Sequence, residues 1–209
     1  TNWSNITLPH DYSLIQEYSK SGEAESGYKL GGVGWYRKSF TLDESAKDST
    51  IYLNFDGSYM LTTVFVNGKK VAFHTYGYTP FTVDITSALN FEGNNVIAIR
   101  TDNPIPSSRW YSGSGIYRDL SIEFLPKTHF VKIEIKIKTP NLQTAYNADS
   151  GVNVNVIAKI QNETSASKTL KVVAKLVSSN SVINEESLQN FTVEANSTSE
   201  ATINMSVVK

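Results

Sequence analysis

The sequence predicts an all-β protein of two sandwiches, a jelly roll followed by an immunoglobulin-like domain, and three observations carry that prediction. Short runs rich in β-branched and aromatic residues recur along the 209 residues, separated by turn residues. Asn67-Gly68 stands between Val64-Phe65-Val66 and Val71-Ala72-Phe73 and supplies the two positive-φ positions of a type I′ turn, so these runs should pair antiparallel. Helical patterning is confined to one brief stretch near Thr86 to Leu89.

Composition divides the chain. Of 23 aromatic residues, 20 precede Pro126, and among the 12 glycines only Gly151 follows it. Rings and tight turns suit a binding surface, whereas a Val/Ile/Lys/Asn/Thr segment suits plain strands with solvated outer faces. The domains are therefore expected at residues 1–126 and 127–209. In the first, strands are expected at Gly34 to Thr41, Ser49 to Asp56, Leu61 to Val66 and Asn95 to Arg100. In the second, Val131 to Lys138 alternates strictly, with Val131, Ile133, Ile135 and Ile137 on one face and Lys or Glu on the other. Val152 to Ile160, Thr169 to Val177 and Ala201 to Val207 repeat the theme, and about seven short strands favour the immunoglobulin-like arrangement.

A net charge of -1 gives no broad positive field, so nucleic acid is not an expected partner. The absence of cysteine removes disulfides, thiolate metal sites and cysteine nucleophiles. No apolar run approaches the roughly 20 residues that span a bilayer, so no membrane partner is expected. The start, Thr-Asn-Trp-Ser-Asn, lacks a signal pattern, and the chain is expected to begin inside a longer gene product; secretion or a bacterial cell-surface location is permitted. His74 and His129 have no second ligand at metal spacing, so neither a metal nor another cofactor is expected.

The loop from Asp102 to Ser112 concentrates a carboxylate, the Asn103 amide, Arg109 and the rings of Trp110 and Tyr111. Gly113 and Gly115 on either side of Ser114 let the backbone turn sharply beyond it. Rings that stack on the apolar face of a pyranose, beside polar groups that bond its hydroxyls, suit a sugar. The same residues also fit a purely structural role, with Trp110 and Tyr111 packed in a core and Arg109 in a surface ion pair. His10 and Asp11 are adjacent on an extended chain, point to opposite faces, and read as structural. Arg118 and Asp119 read as an ion pair on a strand.

Three stretches carry a resemblance: Leu8-Pro9-His10-Asp11, Gly32-Val33-Gly34-Trp35-Tyr36-Arg37-Lys38-Ser39-Phe40, and Arg109-Trp110-Tyr111-Ser112-Gly113-Ser114-Gly115-Ile116-Tyr117-Arg118-Asp119. They resemble the motifs of family 2 glycoside hydrolases, and the third is most similar to the β-galactosidase branch. Tyr12 stands where the family has tryptophan. The resemblance implies a galactose-binding-domain-like jelly roll whose loop projects into the active site of a catalytic barrel. It makes Arg109 and Trp110, then Asp102 and Asn103, the substrate-binding candidates, with a β-galactoside or related glycan and the chain's own barrel as partners. Some β-galactosidases carry an aspartate near the place of Arg109. Hydrolysis with retention needs two carboxyl groups about 5 to 5.5 Å apart. In the family both are barrel glutamates, so no catalytic residue is expected here. Neither Asn162-Glu163, in a hairpin-like loop, nor Asn184-Glu185, in a polar turn, resembles the family's acid/base pair. A stand-alone carbohydrate-binding module and a surface adhesion fragment are the competing readings.

Overall fold

The structure, a computed structural model, describes residues 3–106, 111–148 and 150–207. It is all-β apart from one short helix and two 3-10 turns, and it divides into two compact units, Thr1–Phe124 and Leu125–Lys209.

The first unit contains β1 (Gly32–Phe40), β2 (Ser49–Phe55), β3 (Thr62–Val66), β4 (Lys69–His74), β5 (Phe81–Asp84), β6 (Asn95–Asn103) and β7 (Leu120–Pro126), the last running across the boundary. They form a four-stranded sheet, β1-β6-β3-β4, and a three-stranded sheet, β5-β2-β7. The core lies between the two. Ile51, Leu53 and Phe55 of β2 and Val83 of β5 meet Val64 and Val66 of β3 and Ile97 and Ile99 of β6, and all are nearly inaccessible to solvent. Phe55 stacks on Phe81 with centroids 4.3 Å apart. One inward face per sheet follows from the two-residue period of strands.

The expected hairpin is present. Asn67 has φ 50° and Gly68 φ 81°, Val66 pairs with Lys69, and one bulge falls between Val64 and Phe65. Asn67 does more than turn the chain. Its Oδ1 accepts the Val96 N–H at 2.9 Å and its Nδ2 donates to the Asn95 side-chain oxygen at 2.8 Å, while the fully buried Asn95 bonds both backbone groups of Asn90 at 2.7 Å.

The second unit contains β8 (Thr128–Lys138), α1 (Leu142–Ala148), β9 (Val152–Asn162), β10 (Lys168–Ser178), β11 (Ser181–Val193) and β12 (Ser197–Val207). Sheets β12-β9-β8 and β10-β11 enclose Val154, Ile160, Val172, Ala174, Val193, Ala201, Ile203 and Met205. Among the described residues this sandwich has five long strands rather than about seven short ones. Polar stretches that run on as strand account for the difference. Asn184 and Glu185 lie within the 13-residue β11, where Glu185 meets Lys175 across the hairpin at 2.8 Å. Polar residues on both faces of an exposed hairpin leave no hydrophobic contrast to separate strand from turn. The strict alternation of β8 is also interrupted. Ile133 has φ 65°, the register slips between Phe130 and Ile135, and Ile133, Ile135 and Ile137 are largely exposed.

One side chain holds this unit's loops. Asn162, fully buried, places Nδ2 at 2.9 Å from Ala166 O, 3.1 Å from Val193 O and 3.0 Å from Glu194 O, and its Oδ1 accepts from Thr164 N at 3.1 Å and Thr164 Oγ1 at 2.7 Å. It belongs to an Asn-x-Thr sequence, yet its nitrogen is enclosed. Because each buried polar group left unmade costs about 1 to 3 kcal/mol, Asn162→Ala is expected to lower unfolding free energy by roughly 3 kcal/mol. Urea unfolding followed by circular dichroism measures this, and a loss below about 1 kcal/mol would mean that these groups find other partners.

Candidate functional site

The alternation of β6 sets the geometry at its end. Burial switches residue by residue from Asn95 to Asn103, so Thr101 and Asn103 point inward while Arg100 and Asp102 point outward. Asp102 and Asn103 are thus brought to one place in the chain but to opposite sides of the sheet. Outward, the Arg100 guanidinium donates to the Asp102 carboxylate at 2.7 Å. Inward, Asn103 Nδ2 donates to Gly113 O at 3.0 Å and Ser114 Oγ at 2.9 Å. This pair of bonds ties the two ends of the loop together. Asn103 Oδ1 is buried and has no partner among the described residues. The two leading candidates, Arg109 and Trp110, lie outside the described residues.

Beneath the loop, the Leu8-Pro9-His10-Asp11 segment pairs with the glycine turn. His10 N donates to Ile116 O at 2.7 Å and Tyr12 N to Ser114 O at 3.0 Å, while Tyr59 and Gly115 exchange both backbone bonds at 2.8 Å. Ser13 Oγ lies 2.6 Å from both Leu30 O and Ser114 Oγ. Glycine is required at two of these crossings. A Cβ at Gly34 would land within the Tyr12 ring, and one at Gly115, where φ is 113°, would strike the Tyr36 hydroxyl. Both motif glycines are therefore contact points between distant segments.

His10 and Asp11 do diverge. His10 Nδ1 lies 3.0 Å from the Tyr36 hydroxyl, whereas Asp11 accepts from Ser13 N at 2.9 Å and from the Tyr111 hydroxyl. Burial pushes the Tyr36 hydroxyl up to about 12, with the nearby Tyr12 and Asp11 adding to the rise against a lowering by the Ile116 backbone. Tyr111 is raised as well, first by burial and then by its bond to the Asp11 carboxylate. Tyr111 is therefore held as a neutral donor.

The loop after β4 adds rings that the sequence did not single out. Tyr76 and Tyr78 are exposed with centroids 5.7 Å apart, Tyr78 packs edge-on against Tyr59 at 5.2 Å, and Tyr117 donates to Gly77 O at 2.7 Å. Through Tyr59 this group joins the glycine turn. Only the Tyr76-Gly77-Tyr78 spacing hinted at it, and nothing local shows that the chain returns there. Arg118 and Asp119 precede β7 instead of standing on it, and Arg118 sits over the Tyr117 ring at 5.5 Å. Adjoining His10 and Tyr36, a crevice of about 750 Å³ is lined by Tyr12, Trp35, Arg37 and Lys38 together with core aliphatics such as Ile97 and Ile116. Its walls therefore mix aromatic, charged and polar groups with aliphatic ones. Among the described residues no three His, Cys, Asp or Glu side chains gather as a metal site; His74 contacts Thr79 and His129 the Pro126 carbonyl.

Residues 18–126 match the model described as "Glycosyl hydrolases family 2, sugar binding domain". A Formosa agariphila protein carrying a β-glucuronidase name is 38% identical over 183 residues, covering 86% of this chain and 17% of that relative. The β-galactosidase BoGH2A of Bacteroides ovatus is 34% identical over 175 residues, covering 77% of this chain and 21% of its own length. A crystal structure of a glycosyl hydrolase family 2 member from Bacteroides cellulosilyticus superposes with a TM-score of 0.84 at 31% identity, over 99% of this chain and 28% of that one. The chain thus spans about a fifth of the curated relatives it matches.

The tyrosine environment makes a pH prediction. The folded state raises the Tyr36 pKa, so its contribution to stability is whole below the ordinary value of 10.0 and is lost as pH climbs toward about 12. Melting temperature should fall across that window, and Tyr36→Phe should flatten the alkaline slope. An unchanged slope would remove Tyr36 as its source.

Proposed function

This chain belongs to glycosyl hydrolase family 2, and from that premise we propose that it is the non-catalytic N-terminal portion of a longer β-galactosidase-type enzyme. In this reading the loop after β6 forms one wall of the sugar pocket. The second unit spaces the first from a catalytic barrel that hydrolyses the glycoside with retention. The carrying observation is the pair of hydrogen bonds donated by Asn103 Nδ2 to Gly113 O and Ser114 Oγ, which presets both ends of the loop. Fixed loop ends are what positioning a substrate requires, since misplacement by about 1 Å costs up to 100-fold in rate.

The carboxylates at this end support a binding role over a catalytic one. Asp11 is engaged by Tyr111 and Ser13, and Asp102 by Arg100, so each is occupied in holding protein groups. Arg109 and Trp110 are assigned to contact the sugar, with Asp102 and Asn103 as the frame that presents them. The named relatives divide between galactosidase and glucuronidase, so the sugar is the first thing to determine.

In the parent enzyme, Asn103→Ala is expected to lower kcat/KM on an aryl β-galactoside by about 10- to 100-fold while leaving the melting temperature of the barrel unchanged. The 209-residue chain itself should leave the same substrate intact. Preference for an aryl β-glucuronide would move the assignment to that branch. For the chain alone, NMR titration with galactose and lactose should give no saturable shifts. Saturable binding abolished by Trp110→Ala would instead establish a stand-alone binding module, a reading favoured by the exposed Tyr76 and Tyr78 rings.

A further inference from the structure

The outer face of sheet β1-β6-β3-β4 carries rings where a solvated strand face ordinarily carries polar side chains. Trp35, Arg100, Thr63 and Phe73 stand directly opposite one another across β1, β6, β3 and β4. Directly opposed residues share a face, so these four form one row on the side away from Val64 and Ile99 of the core. Arg37, Ala98, Phe65 and Lys70 form the next row. Ala98 is small, and across it the Trp35 and Phe65 rings stack with centroids 5.8 Å apart. Trp35 and Phe73, on the two edge strands, stay 49% and 53% exposed.

Each edge strand sets a cation beside its ring. On β4, Lys70 Nζ lies 5.1 Å from the centroid of Phe73. On β1, Arg37 follows Trp35 by two residues and so shares its face, with the guanidinium 4.6 Å over the Trp3 ring. Among the described residues neither cation forms an ion pair, whereas Arg100, between the two edges, is paired with Asp102 at 2.7 Å. The rows therefore hold three cations against one carboxylate. Neighbouring strands lie about 4.8 Å apart, which puts the two ring-and-cation pairs roughly 14 Å from each other.

A ring accepts the apolar face of a pyranose, and a cation at its side meets a carboxylate on the sugar's rim, so each pair fits an acidic sugar. The Arg100 and Asp102 groups between them offer donors and acceptors to hydroxyls. We propose that this face binds a chain of acidic sugars, with uronate rings on Trp35 and Phe73 and the intervening sugars across Arg100 and Asp102. The surplus of positive charge selects an anionic ligand, and the match of this unit to a sugar-binding model selects a glycan among anions. A separation of about 14 Å exceeds the reach of a disaccharide, so galactose and lactose do not bridge it. The site lies on the sheet and needs no pocket role for the loop after β6, so the two assignments stand or fall separately.

NMR titration of the 209-residue chain with a six-unit oligosaccharide of β-1,4-linked mannuronate should give saturable amide shifts on β1, β3 and β4. Cellohexaose, with the same linkage and no carboxylates, should bind about fivefold or more weakly. Trp35→Ala and Phe73→Ala should each weaken binding of the acidic chain by about 3- to 10-fold. Lys70→Gln, an exposed change that leaves the rings in place, should weaken it at low salt and much less at high salt. Absence of saturable shifts, or shifts confined to the loop after β6, would overturn the proposal. Equal affinity for an oligothymidylate of the same charge would replace it with a general polyanion surface. Calorimetry on the parent protein should return the same affinity; no binding there would mean that the rest of the enzyme covers the face, and the proposal would fail.

Discussion

Asparagine amides, most of them buried, satisfy the backbone groups that loops leave unpaired in this protein, which has no disulfide to do so. An amide presents two donors and a two-lone-pair acceptor on one short stem, so one side chain closes several backbone gaps. Asn67 and Asn95 lock the hairpin to β6, Asn103 locks the end of β6 to the glycine turn, and Asn162 joins the end of β9 to the segments around Ala166 and Val193. The alternative, an unpaired buried N–H or C=O at each crossing, is expensive enough to open the sandwiches at their rims. Hydrophobic cores make the sheets, and the amides decide where the chain leaves them.

Most strands of the first unit were legible because their alternation is sharp and their turns carry diagnostic residues, Asn67-Gly68 above all. The second unit was read less well. β11 has polar residues on both faces, so its middle resembled a turn, and the alternation of β8 disclosed a common face without disclosing whether anything covers it. α1 is seven residues long and lacks two full turns of apolar periodicity.

The sequence singles out the loop after Asp102 but not how its ends are built. The contacts that define it join Asp11 to Tyr111, Ser13 to Ser114 and Tyr12 to Gly34, separations that no window of sequence spans. Pairing Asp102 with Asn103 as joint candidates overlooked the two-residue period of β6, which sends them to opposite sides. Gly115, read from the sequence as a turn residue, is also a place where the Tyr36 side chain meets the backbone, and Gly34, read as a strand residue, is where Tyr12 does.

The Asn103 tie carries an evolutionary corollary. It joins Asn103 directly to Gly113 and Ser114, so the end of β6 and the glycine turn are held together by a contact that does not pass through the residues between them. A change of residue between those positions, Tyr111 with its bond to Asp11 excepted, leaves both partners of the tie in place, so sequence can vary there at little cost to the sandwich.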